Sequence, residues 1–154
     1  MSAIAKKLSQ LNIELPTPST PVASYVPYVV VDKMVFISGQ LPLENGKVAV
    51  EGTVGKDVDL EAAQKAARIC GLNLLSHLKN ACGGDLDKVK ACVKLGGFVA
   101  SAPGFYDQPK VVNGASELMQ EVFGEAGCHS RFAVGVSALP RNAAVEVDAV
   151  FALK

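Results

Sequence analysis

The segment 60–81 constrains the fold of this chain more than any other, because it has the pattern of one long amphipathic helix. Its apolar residues recur at spacings of three and four, which is the helical period. They are Leu60, Ala63, Ala67, Cys70, Leu74, Leu78 and Ala81. Asp57 or Asp59 can cap the start of the helix, and Gly83-Gly84 can end it. A stripe so rich in alanine lets the helix lie close to a sheet.

Strand patterns flank this helix on both sides. Short runs rich in valine, isoleucine and phenylalanine alternate with turn residues, which is typical of strands. These runs predict strands over 28–31, 34–41, 48–50, 89–95 (continuing to about residue 99), 132–139 and 144–153. Helical spacing predicts two further helices, over 2–12 and 110–123, and small residues predict a long loop over 96–109.

Turn residues indicate how these strands connect. Asp32-Lys33 and Asn45-Gly46 predict hairpin turns, and the segment 140–142 (Pro-Arg-Asn) predicts a hairpin that joins the last two strands. Near the end of the second strand, a glycine at position 39 predicts a bulge or a close backbone approach.

The order of elements predicts an α/β (α+β) fold. Strands separated by helices, with hairpins at both ends, imply a mixed β-sheet with the two main helices packed on one face. The other face of the sheet then has to be buried elsewhere, and an oligomer is the natural place. With 154 residues, the chain fits a single domain over 1–154, with an N-terminal helical extension over about 1–20.

The amino-acid composition argues against nucleic acids and membranes as partners. The chain has 15 basic and 15 acidic residues, so it has no strong electrostatic attraction to nucleic acid or membrane surfaces. No apolar run approaches the roughly 20 residues that span a bilayer, and the N-terminus lacks a signal-peptide core. We therefore expect a cytoplasmic protein. The four cysteines form no CxxC pair, which indicates reduced structural thiols.

Arg131 is the strongest candidate for chemistry. It opens an apolar strand and shares one strand face with small residues, which suggests a hollow with a fixed cation at its end. The small residues on that face are Ala133, Gly135 and Ser137. A guanidinium in this position could hold a substrate carboxylate through two hydrogen bonds. The alternative is an internal salt bridge to Glu146 or Asp148, which spacing alone favours.

Other candidates have weaker patterns. Cys128 and His129 are adjacent, and neighbours on a strand point to opposite faces, which is poor geometry for a thiolate–imidazole pair. His77 lies on the long helix and is expected to be a surface or packed residue rather than a ligand. The histidines and cysteines do not have a zinc-site spacing, so no metal or other cofactor is expected. Tyr25 and Tyr28 could line a pocket or pack on the sheet.

Two separated motifs resemble the YjgF/RidA (reactive intermediate deaminase) family, in its longer-chain, endoribonuclease L-PSP-like branch. The segment 37–42 (Ile-Ser-Gly-Gln-Leu-Pro) is similar to the early S-G-Q-x-P segment of the family. The C-terminal part is similar to the signature R-x-x-V…L-P…V-E-(I/V)-(E/D)-A, with Arg131 at its start and Glu146 in its second half. Asn113 matches an asparagine that opens the second main helix of the family. The resemblance covers most of residues 21–153.

This resemblance implies a chorismate-mutase-like fold, assembled as a homotrimer with clefts between subunits. The family's characterised activity is the hydrolysis of enamines and imines, such as 2-aminoacrylate, to 2-keto acids and ammonia, without a cofactor. The family's essential arginine falls on Arg131 and its water-contacting glutamate on Glu146. Its cleft Ser-Gly pair falls on Ser38 and Gly39, and its pocket tyrosine on Tyr25.

The chain departs from the family pattern in three places. Ala133 stands where the deaminase branch often has cysteine. The segment Ala23-Ser24-Tyr25 replaces the family's G-P-Y, which leaves Tyr28 as a rival pocket aromatic. The predicted loop 96–109 and the N-terminal extension also make the chain longer than the usual member.

The sequence is therefore compatible with three functions. The first is an imine and enamine deaminase, in which Arg131 holds the substrate carboxylate and Glu146 activates water. The second is a non-catalytic module that binds a carboxylate metabolite. The third is an endoribonuclease, which would need a basic stripe with stacking aromatics. With three arginines and 6% aromatic residues, the composition ranks this third function low.

Overall fold

The computed structural model describes residues 2–21 and 23–154. Within them the chain forms three α-helices and seven β-strands. The helices are α1 (Ala3–Gln10), α2 (Leu60–Ala81) and α3 (Gln108–Phe123). The strands are β1 (Tyr28–Val31), β2 (Met34–Gln40), β3 (Leu43–Glu44), β4 (Lys47–Val48), β5 (Val89–Ala100), β6 (Ser130–Val136) and β7 (Val145–Leu153). None of the helices in the described ranges is long and apolar enough to cross a membrane.

Five of the strands form one mixed sheet, in the order β1-β2-β7-β5-β6. β5 and β6 run parallel, whereas the other neighbouring pairs are antiparallel. Parallel neighbours need a crossover connection, and α3 provides it. The mixed α/β sheet predicted from the sequence is confirmed.

The predicted hairpin between the last two strands is wrong. β6 and β7 follow each other in sequence, but β5 lies between them in the sheet. β6 pairs with one edge of β5, where Arg131 lies opposite Leu95. β7 pairs with the other edge of β5, where Val147 lies opposite Gly97. The connection through the 3₁₀ turn Pro140–Asn142 passes the end of β5, so a turn between two strands did not imply that they pair.

β5 runs to Ala100, close to the predicted continuation to about residue 99, so the two glycines that suggested a loop lie inside the strand. A side chain at Gly97 would collide with α3, and one at Gly96 would collide with Phe132 on the opposite face. Glycine lets a strand pass this close to a helix and to a neighbouring side chain. The predicted loop 96–109 is therefore reduced to residues 101–107.

Both main helices pack on one face of the sheet, as predicted. Asp59 caps α2, because its carboxylate accepts a hydrogen bond from the backbone N–H of Ala62 at 2.8 Å. The alanine-rich stripe of α2 is buried from Ala63 to Leu78. It belongs to the same core as the alternate residues of β7 that point toward the helices, Val145, Val147, Ala149 and Phe151.

No helix of the described ranges packs on the opposite face of the sheet, which we call the open face. Several of its apolar side chains are about half exposed. They include Val29 at 49%, Phe36 at 47% and Val134 at 42% exposure. The Phe98 and Phe132 rings on this face meet edge to face, with centroids 5.2 Å apart. Contiguous apolar surface of this kind is typical of an interaction site.

Two local predictions near β2 are confirmed in modified form. Gly39 lies at a bulge, because the pairing of β2 with β7 shifts register between Ile37 and Gln40. The strand predicted over 48–50 is instead half of the small β3–β4 hairpin, which turns at Asn45-Gly46 with positive φ angles of 52° and 77°.

The N-terminal helix α1 is tied to the rest of the chain by Asp87. The carboxylate of Asp87 accepts hydrogen bonds from the backbone N–H groups of Ala3 at 2.9 Å and Ile4 at 2.8 Å. Leu8 of α1 is buried in the core. The hydrogen bonds from Ile4 and Ala3 lower the pKa of Asp87 below its ordinary value. A negative charge at this end of a helix also complements the helix dipole.

Replacing Asp87 by Ala is expected to loosen α1 selectively. The pKa of Asp87 is lowered in the folded chain, so its contribution is present above its ordinary pKa and is lost as pH falls through the lowered value. Hydrogen–deuterium exchange at neutral pH should therefore be faster in α1 of the Asp87→Ala variant than in the wild type, while α2 in the same sample stays unchanged. Equal protection of α1 in both proteins would show that Asp87 does not hold it.

Candidate functional site

Arg131 lies on the edge strand β6 and points to the helix-covered side of the sheet. Its register partner on β5 is Leu95, which is fully buried beneath the helices. Neighbouring residues in register project to the same face of a sheet. The Arg131 side chain is half-buried, and its guanidinium lies against α3.

Three neutral acceptors on α3 hold the Arg131 guanidinium. Nη1 donates to Asn113 Oδ1 at 2.8 Å and to Ser116 Oγ at 3.1 Å, and Nη2 donates to the Pro109 carbonyl at 3.2 Å. In residues 2–21 and 23–154, no carboxylate lies within salt-bridge distance of Arg131. The internal salt bridge to Glu146 or Asp148 that spacing alone favoured is therefore wrong.

The arrangement leaves Arg131 with a net charge and two N–H donors. A guanidinium has five N–H groups, and the three bonds to α3 engage three of them. Within the described part of the chain, the remaining donors are the Nε–H and one Nη2–H. Nε and Nη2 form one edge of a guanidinium, and a carboxylate can bind such an edge with both oxygens.

The structure brings Asn113 to Arg131, and it adds two partners that sequence reasoning missed. Asn113 is the sixth residue of α3, so it lies inside the helix rather than at its opening. Ser116 follows one turn later and is buried. Pro109 contributes only its backbone carbonyl, which no side-chain motif could have indicated.

The predicted hollow next to Arg131 is mostly filled. Ala133 packs against the core. A Cβ atom at Gly135 would lie 2.8 Å from Nε2 of Gln108 and 3.0 Å from Oγ of Ser101. Gly135 therefore makes room for the start of α3, and Ala133 contributes to the core.

Glu146 occupies a separate place, at the start of β7 on the open face. A side chain at Gly39 would collide with the Glu146 carboxylate, so the glycine makes room for it. Both residues line a cleft of about 250 Å³. Its wall also includes Tyr25, His77 and Arg141.

Burial raises the pKa of the Glu146 carboxyl above its ordinary value, and the negative charge of Asp148 raises it further. Burial also raises the pKa of Asp148, although a hydrogen bond from the Gly96 N–H and the charge of Lys94 act in the opposite direction. A raised pKa makes a carboxylate a better proton acceptor, and the protonated group can return the proton later. Glu146 therefore has the electrostatic setting of a general acid–base.

The tyrosines and Ser38 occupy distinct places. Tyr25 is 52% exposed and lines the cleft. Tyr28 packs against the core from β1, so Tyr25 is the cleft aromatic. The Ser38 hydroxyl donates a hydrogen bond to the Val26 carbonyl at 2.8 Å, which ties β2 to the segment before β1.

Two cleft residues were not predicted as such. Arg141 is an exposed residue of the turn Pro140–Asn142; it also lines the cleft and donates from Nη2 to the Gly46 carbonyl at 3.0 Å. His77 is packed in the core, and burial lowers its pKa, so it is neutral at physiological pH. In the described ranges, no group of three or more histidine, cysteine, aspartate or glutamate residues could hold a metal ion.

Arg131 and Glu146 cannot meet one small substrate within a single chain. Their side chains project to opposite faces of the sheet, and β5 separates their strands. Glu146 lies opposite Phe98, which lies opposite Val134, three residues beyond Arg131. This register separates the two residues by roughly 10 Å along the strands and roughly 10 Å across them.

Comparisons with known proteins agree on one family. A family model described as "YjgF/chorismate mutase-like, putative endoribonuclease" matches residues 5–153. Protein TCP17 of Trypanosoma cruzi is 45% identical over 151 residues, which cover 97% of this chain and 94% of that protein.

Two solved structures are similar over nearly the whole chain. The Agrobacterium tumefaciens protein Atu1372, of unknown function, has a TM-score of 0.92 at 47% identity, covering 98% of this chain and 92% of that chain. A Shewanella oneidensis structure described as a "putative endoribonuclease" has a TM-score of 0.94 at 32% identity, covering 99% of this chain and 100% of that chain.

Replacing Glu146 by Gln is expected to stabilise the folded chain at neutral pH. The pKa of Glu146 is raised in the folded chain, so the wild type loses stability as pH rises from about 4, the ordinary value, through the raised value. Glutamine has nearly the same shape and does not titrate. Urea denaturation across this pH range should give similar free energies of unfolding near pH 4 and a higher value for the variant near pH 7.

The exposed Glu61 offers a matched control for this comparison. Glu61→Gln removes a surface carboxylate from the first turn of α2 without touching the cleft. If the wild type and Glu146→Gln had the same free energy of unfolding throughout the pH series, the raised pKa of Glu146 would be refuted.

Proposed function

Because the chain belongs to the YjgF/chorismate mutase-like family, we propose that it hydrolyses reactive imines and enamines of 2-amino acids to 2-keto acids and ammonia. The observation that carries this proposal is the state of Arg131. Its guanidinium is oriented by three neutral acceptors and keeps two donors and its full charge. A guanidinium held in this way suits a small anionic substrate, and a 2-imino acid carries its carboxylate next to the reacting carbon.

The carboxylate clamp explains how the substrate would be oriented. Two parallel hydrogen bonds from Nε and Nη2 of Arg131 fix the plane of the carboxylate. The imine carbon is bonded directly to that carboxylate, so its position is fixed as well. Holding the reacting carbon beside a bound water molecule converts a bimolecular step into an effectively unimolecular one.

Glu146 would move the protons of the reaction. Its carboxylate takes a proton from water as the water oxygen bonds to the imine carbon, and the electron pair of the C=N bond moves to nitrogen. The proton passes to that nitrogen, giving a tetrahedral carbinolamine. Glu146 then takes the hydroxyl proton and passes it to the amino nitrogen; the C=O bond forms, the C–N bond breaks and ammonia leaves. An enamine such as 2-aminoacrylate enters the same route after tautomerising to the imine, in which a proton adds to its terminal carbon and one is lost from its nitrogen.

The proposed site requires two subunits. Arg131 and Glu146 lie on opposite faces of the sheet in one chain, and the open face has unpartnered apolar residues. We propose a homotrimer in which the open face is buried and each cleft takes Arg131 with Asn113 from one subunit. The neighbouring subunit supplies Glu146, Gly39, Ser38 and Tyr25. The reaction uses water as its only co-reactant, so the site needs no cofactor.

Two other functions compete with hydrolysis. A non-catalytic module would use the same Arg131 clamp, but it would have no need for a carboxyl with a raised pKa beside it. An endoribonuclease activity is named in the description of the family model. It would have to bind a polyanion, yet the chain has equal numbers of basic and acidic residues. Release of ammonia and keto acid from imino acids generated in situ separates hydrolysis from both.

Replacing Arg131 by Ala is expected to lower kcat/KM for imino acid hydrolysis at least about tenfold, because a charge-assisted hydrogen bond contributes roughly 1.5–3 kcal/mol. Arg131→Lys should rescue poorly, because an ammonium lacks the planar pair of donors. Arg68→Ala is the control, since Arg68 forms a surface salt bridge with Glu121. A variant at Arg131 that melts earlier but hydrolyses at the wild-type rate would contradict the clamp.

Mixing two inactive variants tests whether the site is shared between subunits. Arg131→Ala and Glu146→Gln should each be nearly inactive as pure trimers. After the two are unfolded together and refolded at equal concentrations, about a quarter of the clefts should combine an intact Arg131 with an intact Glu146 from the neighbouring subunit. Activity should then recover to about a quarter of the wild-type value. No recovery in trimers that sedimentation shows to be mixed would place both residues in one subunit.

A further inference from the structure

His129 lies behind Arg131 in a chain of hydrogen bonds that the proposed mechanism does not use. The Arg131 guanidinium donates to Ser116 Oγ at 3.1 Å, and Ser116 Oγ is bonded to His129 Nε2 at 2.8 Å. His129 Nδ1 is bonded to the Gly127 carbonyl at 2.6 Å. We propose that His129 is a positioning residue that acts through Ser116 to orient Arg131 for an anionic substrate. The proposal rests on the proposed function of Arg131.

The chemistry of the partners fixes the direction of two of these three hydrogen bonds, and the third follows for a neutral imidazole. A guanidinium can only donate, so Ser116 Oγ accepts from Arg131. A carbonyl can only accept, so His129 Nδ1 donates to Gly127. In a neutral imidazole the other nitrogen, Nε2, is then an acceptor, and the single hydroxyl hydrogen of Ser116 must point to it. Neutral His129 with its hydrogen on Nδ1 therefore satisfies all the groups at once.

Gly127, the last residue in this series of hydrogen bonds, is held in a fixed position. Gly127 is buried, and a side chain there would collide with the backbone of α3 at Met119. Its carbonyl is thereby set at a fixed position beside α3, the helix that also carries Ser116. His129 thus connects a fixed backbone acceptor to the hydroxyl that binds Arg131.

This connection has a consequence for ligand binding. With His129 accepting its hydrogen, the Ser116 hydroxyl keeps a lone pair directed at Arg131 Nη1. Asn113 holds the second Nη1 hydrogen, so the guanidinium cannot rotate and its two remaining donors keep one direction. A side chain ordered before the ligand arrives avoids the entropy cost of ordering it during binding. A charged His129 would instead donate to Ser116, and the Ser116 hydroxyl would then have to donate its own hydrogen to an acceptor outside this series of hydrogen bonds.

Two amide substitutions separate the functions of the two imidazole nitrogens. In His129→Gln the side-chain oxygen lies near the position of Nε2 and can accept from Ser116. In His129→Asn the side-chain nitrogen lies near the position of Nδ1 and can donate to Gly127, but no acceptor reaches Ser116. A purely structural role of His129 predicts that carboxylate affinity follows the stability of each variant. A positioning role predicts that carboxylate affinity is kept in the first variant and lost in the second.

The test is calorimetric titration of folded wild type, His129→Gln, His129→Asn and Arg131→Ala with pyruvate, a small 2-keto acid. His129→Asn is expected to bind roughly threefold to tenfold more weakly than the wild type, the range that corresponds to ordering one long side chain. His129→Gln is expected to bind within about twofold of the wild type, which is the rescue that a positioning role requires. Nitrogen-15 NMR of the wild type should show neutral His129 with its hydrogen on Nδ1.

The outcomes distinguish this inference from the proposed function. If Arg131→Ala loses pyruvate binding but both His129 variants bind as the wild type does, the positioning role is wrong and the clamp stands. If His129 carries its hydrogen on Nε2, the positioning role is also wrong. If Arg131→Ala binds pyruvate as tightly as the wild type, the clamp is wrong, and the role of His129 fails with it.

Discussion

The structure depends on a five-stranded sheet that is covered by helices on one face only. β7 is the central strand, and its alternate residues serve the two faces differently. Those toward the helices are fully or almost fully buried and apolar, whereas Glu146 and Asp148 project from the open face. Leaving apolar side chains exposed to water and two carboxylates partly buried without a partner is unfavourable in free energy. Glu146 and Asp148 therefore lie on the face that a second subunit would cover.

Arg131 shows how a protein can orient a charge without neutralising it. A carboxylate partner would hold the guanidinium equally well, but it would cancel the charge and occupy the donors that an anionic substrate needs. The acceptors from α3 are an amide oxygen, a hydroxyl and a backbone carbonyl, all neutral. The same helix is the crossover that sets β6 beside β5, so the packing that builds the sheet also orients Arg131.

The two halves of the proposed site follow from the strand order. Because β5 lies between β6 and β7, Arg131 and Glu146 are on non-adjacent strands. The register sets Arg131 opposite Leu95 and Glu146 opposite Phe98, so the two side chains project to opposite faces. In the proposal, each chain presents an anion-binding half at one edge and an acid–base half on its open face. In the proposal, catalysis requires assembly of the trimer, because neither half of the site can act on a substrate alone.

Much of the fold follows from local patterns, which sequence reports well. Helical spacing and a capping Asp59 predicted α2 with its observed bounds, and Gly39 marked the bulge in β2. Arg131 could be singled out because it is a lone cation at the start of an apolar strand. Asn113 entered only through the family resemblance. Ser116 and the Pro109 carbonyl were missed, because they lie 15 and 22 residues away and meet Arg131 only through the crossover.

What the sequence determined by itself was the set of elements, the apolar faces and the identity of the charged residues, since each of these is a property of neighbouring positions. The tertiary structure alone decided which strands pair, which face each charge occupies and which acceptors surround Arg131. A turn between two strands has the same residues whether or not a third strand enters between them. Long-range packing therefore determined the pairing of β6 and β7 with β5, and with it the separation of Arg131 from Glu146.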